Sequence, residues 1–187
     1  LRASGFGPGE ESDVAAKLRG GALLIYPTDT LYAIGCRARD GEAVTRLREA
    51  KGREADKALP VIVGDVGQAR SLAARWPEEA QRLADAFWPG PLTLVLPAAA
   101  SLPPELLAGA GTIAVRVPAS DVARALARLA GPLVSTSANR AGEPPCVTVD
   151  DAAAGFPKAT LAFDVGPLDG PPSTIVDLSD TAVGIVL

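Results

Sequence analysis

Five short stretches of the sequence carry side chains able to do chemistry together. Pro27-Thr28-Asp29-Thr30-Leu31-Tyr32 puts hydroxyls and a carboxylate into one turn, and Lys51, Arg53 and Lys57 form a cluster of cations. Thr112 and Arg116 fall on one face of any strand that contains both, because their spacing is an even step. Ser135-Thr136-Ser137-Ala138-Asn139 adds hydroxyls and an amide, and Ser173-Thr174 adds more hydroxyls. The set offers cations and hydrogen bonds but no base of neutral pKa. Such groups suit a phosphate-bearing ligand held by charge and hydrogen bonds.

Each stretch also has a plainer explanation. Lys51 and Arg53 fit a helix C-terminus, where the macrodipole favours cations by about 0.3 to 1 kcal/mol. Thr28 to Thr30 fits an Asx or Ser/Thr turn, and Ser135 to Asn139 fits a capped turn. Arg116 lies inside an apolar strand, and a buried guanidinium needs an anion. Either a ligand carboxylate or phosphate, or an internal Asp or Glu, supplies it.

Composition narrows the chemistry further. The 187 residues include no histidine, which removes imidazole general acid–base catalysis, Ser-His and Cys-His nucleophile pairs, and zinc sites that need imidazole. Cys36 and Cys146 are the only cysteines; they make neither a four-cysteine zinc site nor a disulfide framework, and read as reduced thiols. No metal-ligand cluster is evident. There is no Walker loop, and Gly109-Ala110-Gly111 is too slight for a dinucleotide loop. With 48% apolar residues the chain can build a core, so disorder is excluded. The longest clean apolar run, 22–26, is far below the ~18 residues of a membrane span, and no leader pattern opens the chain. A cytoplasmic protein is expected. The chain contains no methionine, even at position 1, so a missing terminal piece is expected too.

The elements that must hold these residues follow from periodicity and breakers. Residues 1–10, with alternating glycines, read as a flexible arm, and 11–187 as one domain. Helices are expected at 11–19, 41–50 behind an Asp40 cap, 65–74, 77–87 and from Ser120 to Gly131, with one helical turn opened by Pro103-Pro104. Strands are expected at 22–26, 59–63, 92–96, 112–117, 133–135, 160–164, 173–178 and 182–187. Helices and strands interleave early and strands dominate late. This predicts an α/β fold: a single domain with a twisted, mixed parallel and antiparallel sheet and flanking helices.

Tyr26-Pro-Thr-Asp-Thr-Leu-Tyr, Lys51-Gly-Arg53, Ala114-Val-Arg116-Val-Pro118, Ser137-Ala-Asn139 and Pro172-Ser-Thr-Ile-Val-Asp177, in that order, resemble the YrdC family of threonylcarbamoyl-AMP synthases. The resemblance runs from about Gly20 to the C-terminus. It implies a concave ligand-binding face and a nucleotidyltransferase reaction in which ATP, L-threonine and bicarbonate or CO2 give threonylcarbamoyl-AMP and pyrophosphate, with Mg2+. A downstream threonylcarbamoyl transferase complex would then modify tRNA. Carried across, Lys51, Arg53, Lys57, Thr112, Ser137 and Asn139 are implied as ATP contacts, with Lys51 and Arg53 catalytic. Thr30, Arg116, Ser135 and Ser173 are implied as threonine contacts. Asp29 is the nearest proton acceptor for the threonine amine, with water as the alternative.

The sequence departs from the family pattern in places. Glu54 stands where proline is common, Lys57 where asparagine is common, and Pro145 where serine is expected. An arginine contact expected after the last strand falls beyond Leu187, and the short form without a second domain is expected. A non-catalytic double-stranded RNA or tRNA-binding module of the same fold is the alternative. The net charge of −4 and 4% aromatic content weigh against it, because phosphate-backbone binding draws on dense Lys and Arg. Weak tRNA contact and no membrane contact are expected. A third reading, the related domain of hydrogenase-maturing carbamoyltransferases, lacks its accompanying acylphosphatase and zinc-finger segments here.

Overall fold

The apolar run after Gly21 forms β1 (Leu24–Pro27), whose side chains are all buried. This is what a strand covered on both faces requires. The structure, a computed structural model, describes residues 9–52, 58–140, 142–168, 170–180 and 184–186. Residues 1–8 of the expected arm lie outside it, as do Arg53 and Lys57.

β2 (Tyr32–Gly35) returns antiparallel to β1, with Pro27 opposite Tyr32. β8 (Leu161–Ala162) runs parallel on the other side of β1. A second ladder contains β3 (Val61–Ile62), β4 (Leu92–Pro97), β5 (Thr112–Arg116), β9 (Thr174–Asp177) and β10 (Gly184–Val186). β6 (Leu133–Val134) closes that ladder against β3, while β7 (Thr136–Ser137) pairs with β2. The strand orders are therefore β7-β2-β1-β8 and β10-β9-β4-β5-β3-β6.

The two ladders meet at residues 133–138. Val134 N donates to Cys36 O at 2.8 Å, Ser135 N to Pro60 O at 2.9 Å and Ala138 N to Tyr32 O at 2.9 Å. One extended stretch thus serves both β2 and β3, and Ser135 sits at the handover. The close approach demands glycine at position 35, where an added Cβ would lie 1.9 Å from the Val134 carbonyl oxygen.

The alternation of side chains along β1 sorts the core into layers. Leu24 and Tyr26 pack with α1 (Glu10–Arg19) and α6 (Asp121–Ala130) through Leu18 and Leu126. Ile25 faces the opposite layer, where Val44 and Leu47 of α2 (Gly41–Lys51) and Leu106 of α5 (Pro104–Leu107) meet Val61 and Val115. The Asp40 side chain accepts from Ala43 N at 2.9 Å and caps α2, and Gly52 ends it at φ 60. α4 (Glu78–Phe87) covers Leu92, Leu94 and Val176 through Ala80.

Three elements differ from expectation. α3 (Val66–Arg70) is shorter than the predicted 65–74, because Ala74 N bonds Pro97 O at 2.8 Å and tertiary pairing captures its last turn. α7 (Val149–Gly155), capped by Thr148, lies in a stretch with no predicted helix. β2 forms where only a polar turn was expected. In the tail, residues 182, 183 and 187 of the predicted final strand lie outside the described residues. Cys36 is buried and Cys146 partly buried, both as free thiols.

Candidate active site

The turn after β1 is built by one hydroxyl. Thr28 Oγ1 accepts from the backbone N–H of Thr30 and of Leu31, each at 3.1 Å, and donates to Leu31 O at 2.7 Å. This is the Ser/Thr turn that the sequence allowed, and it presents Thr30, whose Oγ1 lies 2.8 Å from that of Thr28. Ser120 anchors the turn, donating to Pro27 O at 2.9 Å while capping α6.

Thr30 faces a cavity of about 200 Å³ that is also lined by Arg116, Ser135, Ser137, Ser173 and Thr93. Five residues selected from sequence thus meet in one place, delivered by the β1–β2 turn, the end of β5, the 133–138 stretch and the approach to β9. Pro60, Val61 and Ile62 supply an apolar wall.

Arg116 is 7% exposed. Its Nε donates to Gly90 O at 2.9 Å, and its Nη2 pairs with the Asp29 carboxylate. The structure therefore selects an internal Asp as its anion. Nη1 has no partner among the described residues and remains for the cavity. The Trp88-Pro89-Gly90-Pro91 turn, which follows the helix expected at 77–87, supplies the Gly90 carbonyl that orients the guanidinium.

Ser135 rests above Tyr26. Burial pushes the Tyr26 phenol well above its ordinary range, opposed by the hydrogen bond with the Ser135 side chain, and the phenol donates to Val134 O at 3.0 Å. Tyr32 locks the far side of the β1–β2 hairpin, donating to Gly166 O at 2.8 Å and Asp164 Oδ1 at 3.1 Å. Gly166 N–H first, and Tyr32 second, hold the Asp164 carboxyl below its usual value.

Lys51 does not line this cavity. Its buried ammonium donates to Ser137 O at 2.7 Å and Asn139 O at 2.5 Å, pinning the loop from behind. Asn139 turns its amide nitrogen to Glu143 O at 2.6 Å and Arg140 O at 3.0 Å, and its Oδ1 is buried without a partner among the described residues. Thr112 lies at the opposite end of β5 from Arg116, paired with Pro97, on the same strand face but outside the cavity. A larger depression of about 870 Å³, near Gly21 and Lys158, collects none of the candidate residues.

The arrangement invites comparison with known proteins. Residues 16–186 match the Sua5/YciO/YrdC family, described as telomere recombination. The chain belongs to this family. Among relatives, the threonylcarbamoyl-AMP synthase of Chromohalobacter salexigens is 43% identical over 171 residues, covering 89% of this chain and 91% of its own length. That of Pyrococcus abyssi is 41% identical over 169 residues, covering 89% of this chain and 50% of its own. The crystal structure of Pyrococcus abyssi Sua5 complexed with L-threonine superimposes with a TM-score of 0.91 at 37% identity, over 99% of this chain and 55% of that one. The chain thus spans about half the length of the Pyrococcus protein.

One hydroxyl of this YrdC-family site, that of Thr93, escaped the sequence reading, whereas Thr136 belongs to the Ser135 to Asn139 stretch already singled out. Thr93, 6% exposed, and Thr136, 5% exposed, both line the cavity. A hydroxyl inside an otherwise apolar strand was the available signal, since a buried donor needs a partner.

Proposed function

We propose that this chain is an L-threonylcarbamoyladenylate synthase that condenses L-threonine, bicarbonate or CO2, and ATP into threonylcarbamoyl-AMP and pyrophosphate. The observation that carries this reading is the convergence of Thr30, Arg116, Ser135 and Ser173 on one cavity, in a chain similar to the named synthases. A cavity of about 200 Å³ suits an amino acid. The free Nη1 of Arg116 would take the threonine carboxylate, the hydroxyls its remaining polar groups, and Pro60 to Ile62 its methyl.

In this reading the threonine nitrogen adds to the carbon of CO2 and loses a proton, giving a carbamate. A carbamate oxygen then attacks the α-phosphorus, and the bond to the β-phosphate oxygen breaks to release pyrophosphate. Catalysis is alignment and charge neutralisation. Lys51 would act by fixing the Ser137 to Asn139 loop against the nucleotide. Arg53, Lys57 and Thr112 complete the proposed ATP contacts. Mg2+ would act here as a companion of the nucleotide phosphates. Among the described residues no helix is long and apolar enough to cross a membrane. A downstream transferase acting on tRNA would consume the adenylate.

The test is pyrophosphate release from ATP with bicarbonate and no amino acid, serine or threonine. Release that needs both bicarbonate and threonine supports the reading. Release indifferent to threonine overturns it.

A further inference from the structure

Three strands place polar side chains in a row across the cavity floor. Arg116 ends β5, Thr93 follows the first residue of β4, and Ser173 precedes β9. Leu94 opposes Val115 in the antiparallel β4–β5 ladder, which sets Thr93 beside Arg116. Leu92 pairs with Thr174 and Thr93 with Ile175 in the parallel β4–β9 ladder, so Ser173 lies diagonally from Thr93, and the two hydroxyls meet across that diagonal. Thr93 is thus the middle of the row, between two residues with proposed substrate contacts.

The Thr93 and Ser173 hydroxyls are 3.0 Å apart. Neither has another hydrogen-bond partner among the described residues. Two hydroxyls carry two protons, and one of these lies between the oxygens. With Thr93 as the donor, the Ser173 proton is left for a substrate in the cavity that both residues line. The pair therefore behaves as a single donor fixed in direction, next to the guanidinium of Arg116. A carboxylate accepts several hydrogen bonds at once, and this row offers a cationic donor and a neutral one side by side.

We propose that Thr93 is a positioning residue for amino-acid recognition: it holds Ser173's hydroxyl in the orientation that meets the substrate carboxylate beside Arg116. The inference rests on the threonine-using reading above. Without the Thr93 hydroxyl, Ser173 is free to rotate, and its proton is no longer directed. The nucleotide does not depend on this row, so the effect is confined to the amino acid.

The experiment combines calorimetric titration of the chain with L-threonine and pyrophosphate-release kinetics, on wild type, Thr93→Val, Thr93→Ser, Ser173→Ala and the Thr93→Val/Ser173→Ala double variant. Thr93→Val keeps the shape and removes the hydroxyl. It is expected to weaken threonine binding and raise its KM by about 3- to 10-fold, the worth of one neutral hydrogen bond, with the KM for ATP unchanged. Thr93→Ser restores binding, and the double variant binds no worse than Ser173→Ala. Wild-type affinity in Thr93→Val, or losses that add in the double variant, overturns the proposal while the synthase reading stands. A wild-type chain that binds no threonine and releases no pyrophosphate in response to it overturns both.

Discussion

Asp29 and Arg116 form an ion pair with side chains only 16% and 9% exposed, across the mouth of the β1–β2 turn. The pair decides between two roles for Asp29. One of its carboxylate oxygens is committed to Nη2 while Gly90 O holds Nε, so the guanidinium of this cavity-lining residue is gripped at two points. Asp29 orients the clamp. If so, Asp29→Asn raises the KM for threonine by about 10-fold or more, as expected when a charge-assisted contact is lost, and lowers kcat by less. Steady-state kinetics with threonine and ATP varied separately checks this. A collapse of kcat at unchanged KM would return Asp29 to the role of proton acceptor.

Lys51 is expected to matter for stability as well as turnover. Its ammonium makes two charge-assisted bonds to loop carbonyls, and truncating it leaves both acceptors unpaired. Lys51→Met keeps the apolar stem and removes the charge. It should cost about 3 kcal/mol in urea unfolding and sharply weaken ATP-dependent turnover. Lost turnover at wild-type stability would mean that the ammonium acts on the nucleotide alone.

The fold was legible where one segment states its own structure. The Ser120 cap and the Leu126 stripe define α6, and Asp40 defines α2, each within a few residues. Thr93 offered only a hydroxyl among apolar neighbours: a β-branched residue in Leu-Thr-Leu-Val-Leu is also an ordinary strand former, and its partner Ser173 is 80 positions away. Ser135 was found as a polar residue after a strand, but its position where one stretch serves two ladders depends on long-range pairing with Gly35 and Pro60. The short, alanine-rich α7 has a Thr148 cap but little apolar stripe, so periodicity alone passes over it. Lys51, taken alone, read first as a dipole-stabilised helix end and second as a ligand contact. Only the loop carbonyls beside it show what its ammonium grips.

Gly170 sits against the turn that presents Thr30. Its N–H donates to Thr30 O at 2.9 Å, and an added Cβ would lie 2.8 Å from both Asp29 O and Thr30 Cα. Backbone at that distance cannot yield as a flexible side chain would. Gly170→Ala should therefore displace Thr30 and weaken threonine binding about 10-fold, with the KM for ATP less affected. Calorimetric titration with threonine measures it; unchanged affinity would show that the turn moves freely without disturbing the cavity.

Burial pushes the Cys36 thiol from 9.0 up to about 12, with the nearby Asp40 charge adding to the rise. A raised folded pKa means that the folded state keeps a proton which the unfolded chain releases. The stabilising contribution is whole below the unfolded value, near 9, and is lost as pH climbs toward the folded value. Between pH 9 and 10 the protein should lose stability with a slope approaching 1.36 kcal/mol per pH unit, or about one proton's worth. Cys36→Ala removes that proton and should flatten the slope across the same window, whatever it costs in packing at neutral pH. Urea unfolding of both proteins at half-unit steps from pH 7.5 to about 9.5, where the tyrosines of the unfolded chain are still mostly protonated, separates the two effects. Equal slopes would assign the alkaline loss to other groups and leave Cys36 as packing alone.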